Sequence, residues 1–390
     1  MRPKFLPAIL LLAAALTTHA QKRPDTRMVL FDQDGSGPGG SNQMAMMVLL
    51  QSPKVEVLGI TMVTGNAWRD EETAHTLRML ELIHRTDVPV AQGAVYPLVR
   101  TQLETQLSAP LVGNVDWLGA WGGGPTNLDP NGHPEKGPNG QPSVIYQKSH
   151  GPYEIPPLLE GAPTTHAIEE DAVHFLIRQV HAHPHQVTIV ACGPMTNIAL
   201  AISIDPEFAS LTQGIVLMGG SLNPRTADPE FAETPRHEFN FWFDPEAAHI
   251  VLRAPWPRPE DKYPGVGIVV TTVDISLQAT FDQKMVDAIS KAADPAHPAA
   301  QYIAAWSQER YYMWDEIAAA SWLDPTIISR EKYVYMDVDI THGPNYGNTL
   351  TWTDNFRPQT GVQKVHAQLD LDLPKFQKLF IDLMTAPPSR

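Results

Sequence analysis

Residues 28–51 read MVLFDQDGSGPGGSNQMAMMVLLQ. An apolar run, Met28 to Phe31, leads to two acids, Asp32 and Asp34. A Gly-rich turn follows, and an apolar helix is predicted from about Ser41. In an open parallel sheet, ligands collect outside the carboxyl ends of the strands. Two carboxylates at such a tip can give hard oxygens to a cation, or acid and base groups to a substrate. They can equally be turn residues, with the glycines a flexible loop. The other strand ends bear on the choice.

Working outward, Val55 to Val63 is a second β-rich run, ending in Thr64-Gly65-Asn66, and Asp70 to Arg85 has helical spacing. Val88 to Ala91 is a short strand, His166 to His181 a helix, and Val187 to Ala191 a strand meeting Cys192-Gly193-Pro194. Gly214 to Met218 ends in Gly219-Gly220. A loop then leads to His237-Glu238-Phe239-Asn240, read as another tip, and Asp244 caps the helix that follows. Gly265 to Ile275 is a further strand-like run. Helical patterns fill Gln283 to Ala292 and Ala299 to Trp314, and Asp315 opens an Ala-rich helix. The tail alternates in period two over Tyr333 to Ile340, Thr349 to Thr353 and Lys364 to Leu371, before a last helix, Leu373 to Met384. Alternating strands and helices call for right-handed βαβ units. The expected fold is α/β: a Rossmann-like open, mostly parallel central sheet flanked by helices, with antiparallel additions near the C-terminus. No repeat or linker divides residues 21–390, which read as one domain.

The pattern breaks at 98–164, where Gly, Pro and Asn crowd Gly119 to Pro142. Loops this long are functional or disordered as a rule. Trp117 and Trp121 suggest a lid that orders over something; the alternative is a surface excursion with the two tryptophans as its own small core.

Of the 390 residues 43% are hydrophobic and 18% charged, an ordinary globular composition. The net charge of −15 argues against nucleic acid or anionic membranes as partners. Residues 1–20 have the form of a signal peptide: Arg2 and Lys4, then apolar Leu6 to Leu16, then Thr18-His19-Ala20. The apolar run is short for a bilayer span, and no Cys follows to take a lipid anchor. An exported protein is expected. The one cysteine, Cys192, excludes an internal disulfide and reads as a small buried hydrophobe. Oligomeric state stays open, a homo-oligomer included.

The strand tips together resemble the inosine–uridine-type nucleoside hydrolases. Asp32-Gln33-Asp34 begins that family's acidic motif, and Gly59 to Asn66 (GITMVTGN) matches its second strand end. Gly193 to Ala199 (GPMTNIA), Met218-Gly219-Gly220, and Glu238-Phe239-Asn240 with Asp244 to Ala248 follow in order, and Asp315 is the late acid. The resemblance implies one calcium at the floor of the pocket, with Asp34, Asp315 and the backbone carbonyl of Cys192 as ligands. It implies cleavage of the bond between ribose and base through an oxocarbenium-like transition state. Asp34 would take the proton of the attacking water, and Asn66, Glu238 and Asn240 would hold the ribose.

The chain departs from the family at its second acidic pair. Asn42 stands where a calcium carboxylate is expected, and Ser41 where an acid grips a ribose hydroxyl. A lost carboxylate weakens calcium binding, and Asp32 is a candidate substitute ligand. Trp314 occupies the place of a His found in many members. Purine-preferring members carry Trp there, so Trp314 would stack on the base, with Trp117 or Trp121 on the other side; alternatively Trp314 is core beside Tyr311 and Tyr312. Three functions follow: an exported calcium-dependent hydrolase of ribonucleosides, purine ones foremost; a nucleoside- or sugar-binding protein impaired in catalysis; and, least favoured, another sugar-cleaving reaction on the same scaffold.

Overall fold

A computed structural model describes residues 26–115, 117–122, 150–227, 231, 238–262, 264–307 and 310–387. The leader 1–20 and most of the Gly/Pro/Asn-rich stretch 119–142 lie outside the described residues. Nine strands form one sheet. In chain order β1 is Arg27–Gln33, β2 Val55–Met62, β3 Val90–Gln92, β4 Val187–Cys192, β5 Gly214–Met218, β6 Ile268–Thr271, β9 Ile328–Val338, β10 Thr349–Trp352 and β11 Gln363–Leu371; β7 (Thr280–Phe281) and β8 (Tyr311–Tyr312) pair separately.

The spatial order is β10-β9-β11-β6-β5-β4-β1-β2-β3. Strands β1 to β6 are parallel throughout, and β11 joins β6 in parallel while β9 and β10 add on antiparallel. The expected architecture is therefore the observed one. From β1 the chain winds to β2 and β3 on one side and returns to β4, β5 and β6 on the other. The switch point lies between β1 and β4, and in sheets of this kind the ligand crevice lies beyond the strand ends there.

Alternation along β1 assigns its two faces. Val29 and Phe31 join the apolar layer that contains helix α1 (Gly40–Leu50) and the helix Trp314–Leu323, whereas Met28 and Leu30 join the layer with the helices Ala172–Ala182 and Thr196–Ile204. Helix α1 is buried along its whole length, which is why its sequence shows no polar face.

Several elements differ from their expected bounds. The helix expected from His166 begins at Ala172, because Asp171 caps it by accepting the N–H groups of Val173 and His174. Gly265 to Ile275 is two elements, β6 and the short helix Val273–Ser276. Asn240 is not at a strand tip but in the helix Phe239–Phe243. The run to Trp314 is interrupted: its helix ends at Trp306, and Tyr311–Tyr312 pairs with Thr280–Phe281.

The insertion contains a helix that was not expected, α3 (Gln102–Val112), capped by Thr101. A single turn, Gly119–Trp121, then docks on the core: Ala120 N–H donates to the Gly65 carbonyl at 2.8 Å. Gly119 has φ +55, and a Cβ there would lie 2.1 Å from the Gly65 oxygen, so this approach requires glycine. The returning limb is tied to α2 (Arg69–Leu82). Trp68 donates to the His150 carbonyl, Arg78 to the Glu160 carbonyl, and Glu81 accepts the N–H groups of Thr164 and Thr165. Among the described residues no helix is long and apolar enough to cross a membrane.

Candidate active site

Strand β1 ends at Gln33, so the chain turns before Asp34. Asp32 and Asp34 thereby part company. Asp32 belongs to the face of Met28 and Leu30; its Oδ1 accepts from Thr61 and from Asn197 Nδ2 at 2.8 Å. Asp34 turns into the crevice, where its Oδ1 accepts from Asn42 Nδ2 at 2.8 Å and its Oδ2 from the Asn66 backbone N–H at 3.1 Å. Neighbouring chain passes flush against it. A Cβ on Gly65 would lie 2.2 Å from Asp34 Oδ2, and one on Gly193 2.9 Å from Asp34 Cβ. Those two strand-end glycines let β2 and β4 close around the acid.

Asp315 arrives from the first turn of the helix Trp314–Leu323, which packs on α1. Its Oδ2 accepts from the same Asn42 Nδ2 at 2.9 Å. One nitrogen thus bridges the two carboxylates, and they lie within the span of a single ion. Gln33 Oε1 is the third oxygen on that nitrogen, at 2.7 Å. The crevice floor is thereby formed by Asp34, Asp315, Asn42 and Gln33. Asn66 stands above it, with its Nδ2 3.4 Å from Asn42 Oδ1.

The electrostatics are one-sided. Burial raises Asp34 well above the usual carboxylate range, and the charge of Glu238 adds to this, while the Asn66 N–H pulls the other way. Burial also raises Asp315, followed by the charges of Asp34 and Glu316. Cys192 is buried in register with Gln33; burial and then the charges of Asp315 and Asp34 hold its thiol protonated. Asp32 is raised to about 7 by burial, moderated by Thr61 and Asn197.

A cation would relieve this crowding, and the donor types suit calcium, which takes carboxylate, carboxamide and carbonyl oxygens in loose geometry. Two hydrogens on Asn42 Nδ2 cannot satisfy three oxygens converging on it, so the cage carries surplus acceptors. Among the described residues no group of three His, Cys, Asp or Glu side chains is placed to hold a metal ion. A cation here would take two carboxylates and complete its shell with neutral oxygens.

The remaining expected residues fall in two groups. Asn240, at the start of its helix, donates Nδ2 to the Met218 carbonyl at 3.0 Å, which ties it to the β5 tip. Glu238 is buried, not an exposed charge. It caps that helix, accepting N–H groups of Asn240, Phe241 and Gly220 at 2.8–3.0 Å. Ser41 does not face the crevice: its hydroxyl donates to Glu316 at 2.5 Å and accepts the Asp315 N–H at 3.0 Å.

The insertion's tryptophans divide. Trp117, 39% exposed, donates its indole N–H to Asn66 Oδ1 at 2.7 Å and so stands at the crevice. Trp121 is buried, stacked on Phe243 with centroids 4.3 Å apart and edge-on to Trp242. It anchors the insertion to the helix carrying Asn240 and takes no place beside the crevice floor. Trp314 is half-buried, edge-on to Tyr312 at 5.7 Å.

Three contributors were not singled out from the sequence. Gln33 was the unassigned middle of Asp32-Gln33-Asp34; its signal was the face it shares with Phe31. Glu316, raised to about 8 by burial, accepts from Ser41 and Tyr311, and its only signal was an acid next to Asp315 in an apolar helix. Glu72 is buried under the Asn66 turn, accepting the Ala67 N–H at 2.8 Å. It sits in a charged run, Asp70-Glu71-Glu72, that reads as an exposed helix start.

Comparison with known proteins bears on the family and the fold. Residues 29–378 match the family model described as inosine-uridine preferring nucleoside hydrolase. The chain is 26% identical over 377 residues to a probable uridine nucleosidase 1 of Oryza sativa subsp. japonica, covering 92% of this chain and 97% of that one. It is 31% identical over 284 residues to a probable uridine nucleosidase 2 of Arabidopsis thaliana, covering 72% and 68%. Among solved structures, a purine-preferring ribonucleoside hydrolase from Gardnerella vaginalis superposes with a TM-score of 0.67 at 21% identity, covering 93% of this chain and 99% of that one.

Proposed function

Because the chain belongs to the inosine–uridine preferring nucleoside hydrolase family, we propose that it is an exported, calcium-dependent hydrolase that frees the base from ribonucleosides, purine ones foremost. Membership makes it an enzyme of N-glycosidic bonds acting on ribonucleosides. The observation that carries the finer reading is the single nitrogen shared by Asp34 and Asp315 at the switch-point crevice.

In this reading Asp34, Asp315, Asn42 and the Cys192 carbonyl hold the cation. Bound calcium supplies positive charge that eases deprotonation of the attacking water and offsets the two buried carboxylates. Asp34 accepts the water's proton at a carboxylate oxygen. Asn66 and Asn240, each fixed by a contact to a strand tip, orient the ribose hydroxyls. Glu238 holds the Asn240 helix against Gly220 and adds negative charge facing the oxocarbenium-like sugar. Trp117 and Trp314 offer aromatic faces for the base. Asp32 acts from the opposite face of β1, holding Asn197 and Thr61.

Base release from inosine, guanosine, adenosine, uridine and cytidine, with calcium and with a chelator, tests this. Calcium-dependent release fastest from a purine nucleoside is expected. Trp314→Ala should cost inosine use about 1–3 kcal/mol more than uridine use, on the scale of base–aromatic stacking; an equal loss for both removes the purine preference. A second reading, a nucleoside- or sugar-binding protein impaired in catalysis, is favoured by Ser41 turning to Glu316 instead of the crevice. Measurable binding with no release from any nucleoside selects it. A mature N-terminus near Gln21 in a secreted or periplasmic fraction is the expected sign of export.

A further inference from the structure

We infer that Gln33 is a ligand-shell residue of the cation site, supplying its side-chain oxygen Oε1 to the metal and setting its affinity. The inference rests on the calcium reading above and adds a residue to it. Gln33 is fully buried at the last position of β1, on the face that looks toward α1 and the helix Trp314–Leu323. Its Oε1 accepts the Asp34 backbone N–H at 2.8 Å, which fixes the oxygen and leaves a second lone pair. That oxygen is 2.7 Å from Asn42 Nδ2, closer than Asp34 Oδ1 at 2.8 Å or Asp315 Oδ2 at 2.9 Å.

Three oxygens from three parts of the chain therefore converge on one point. One is a carboxamide oxygen locked by backbone and two belong to buried carboxylates. The two ends of the Asn42 carboxamide are alike in size, so a half-turn of that group would present its oxygen in place of nitrogen. The resulting shell has two formal charges and two neutral carboxamide oxygens. Calcium affinity follows the charge count of the ligands, so Gln33 is the position where one atom tunes it. Its Nε2, 3.3 Å from the Asn42 carbonyl and 3.5 Å from Asp315 Oδ2, keeps the oxygen end pointing at the cage.

The test is calcium binding to the whole protein after exhaustive chelation, read by calorimetry and by the calcium-induced rise in Tm. Gln33→Met keeps length and removes the oxygen; its Kd for calcium should rise at least about tenfold, the scale found for residues that orient a metal's ligands. Gln33→Glu keeps an acceptor for the Asp34 N–H and adds a charge. It should lower Tm in chelator, tighten calcium at least about tenfold and enlarge the calcium-induced rise. An added charge tightens calcium through space even where Gln33 is merely structural, so the loss in Gln33→Met is the result that assigns its oxygen as a ligand. Unchanged Kd in Gln33→Glu overturns the inference, and so does wild-type Kd in a folded Gln33→Met; should Gln33→Met not fold, Gln33→Asn, which withdraws the oxygen by one methylene, is read for the same loss. Wild-type protein that binds no calcium overturns the calcium reading and this inference together. Wild-type binding with both variants unaltered overturns this inference alone.

Discussion

The turn at residues 35–40 has an acidic cluster on either side, and the two are balanced in opposite ways. Toward the crevice, Asp34 and Asp315 share one amide nitrogen, and among the described residues no Lys, Arg or His pairs with either. Behind the turn, Glu160 closes on Nδ1 of the buried His75, while Glu71 holds His150 at 2.8 Å. A Cβ on Gly37 would meet His75 and Gln43, and one on Gly35 would meet Asn42 and Gln33, so a single loop separates the two sets. Burial alone would push His75 down, but its hydrogen bonds and charges with Glu160 and Glu71 outweigh this and carry it up to about 9. The rear cluster carries its own counter-charge and fastens the returning limb of the insertion to α2. The front cluster has no such counter-charge among the described residues, and burial raises both of its acids. His75 gives the rear acids a partner inside the fold, whereas Asp34 and Asp315 have only amide and backbone donors.

Substitutions on the two sides should separate activity from stability. Asp34→Asn removes the proposed base and one charge of the front cluster. It should cut base release by about a thousandfold or more, within the range general-base groups contribute, and raise Tm in chelator by relieving Asp315. Near-normal turnover would take Asp34 out of its role. His75→Leu leaves Glu160 buried without its partner and should cost about 3–5 kcal/mol of unfolding free energy, with kcat much less affected where the protein is folded. A drop in kcat as large as that of Asp34→Asn, without loss of stability, would erase the distinction between the clusters.

The smallest effect expected is one of pH. Glu316, raised to about 8 by burial, stays protonated in the folded chain up to that pH, while an unfolded glutamate ionises near 4.5. The folded state then binds the extra proton, so stability in chelator should fall as pH rises from about 5 through 8. Asp32, raised to about 7, acts in the same direction. Glu316→Gln should flatten the Tm–pH curve over this window. His75, being raised, gives stability that is fully present below about 6.5 and lost progressively as pH rises to about 9. The rear cluster should therefore begin to loosen at a higher pH than the front.

Much of this was legible in the chain. The parallel sheet followed from alternating apolar runs; Asp34, Asn66 and Asp315 stood out because each follows an apolar run and matches a family motif, and Asn240 by its motif. What was hidden depended on partners distant in sequence or on the path of a turn. His75 and Glu160 are 85 residues apart, and nothing in a helical run marks one member as buried and charged. Simple alternation puts Asp32 with Asp34; only the end of β1 at Gln33 sends them to opposite faces and brings Gln33 inward. Asn240 reads as a strand tip because Glu238, its helix cap, sits where a strand-end charge also could.

The most direct test is the amount of calcium retained by the purified full-length protein, measured beside Asp34→Asn. One calcium per wild-type chain, absent from the variant and lost together with base release on chelation, is the result expected. Nucleoside hydrolysis that proceeds at full rate in a wild-type chain free of bound metal would contradict the account.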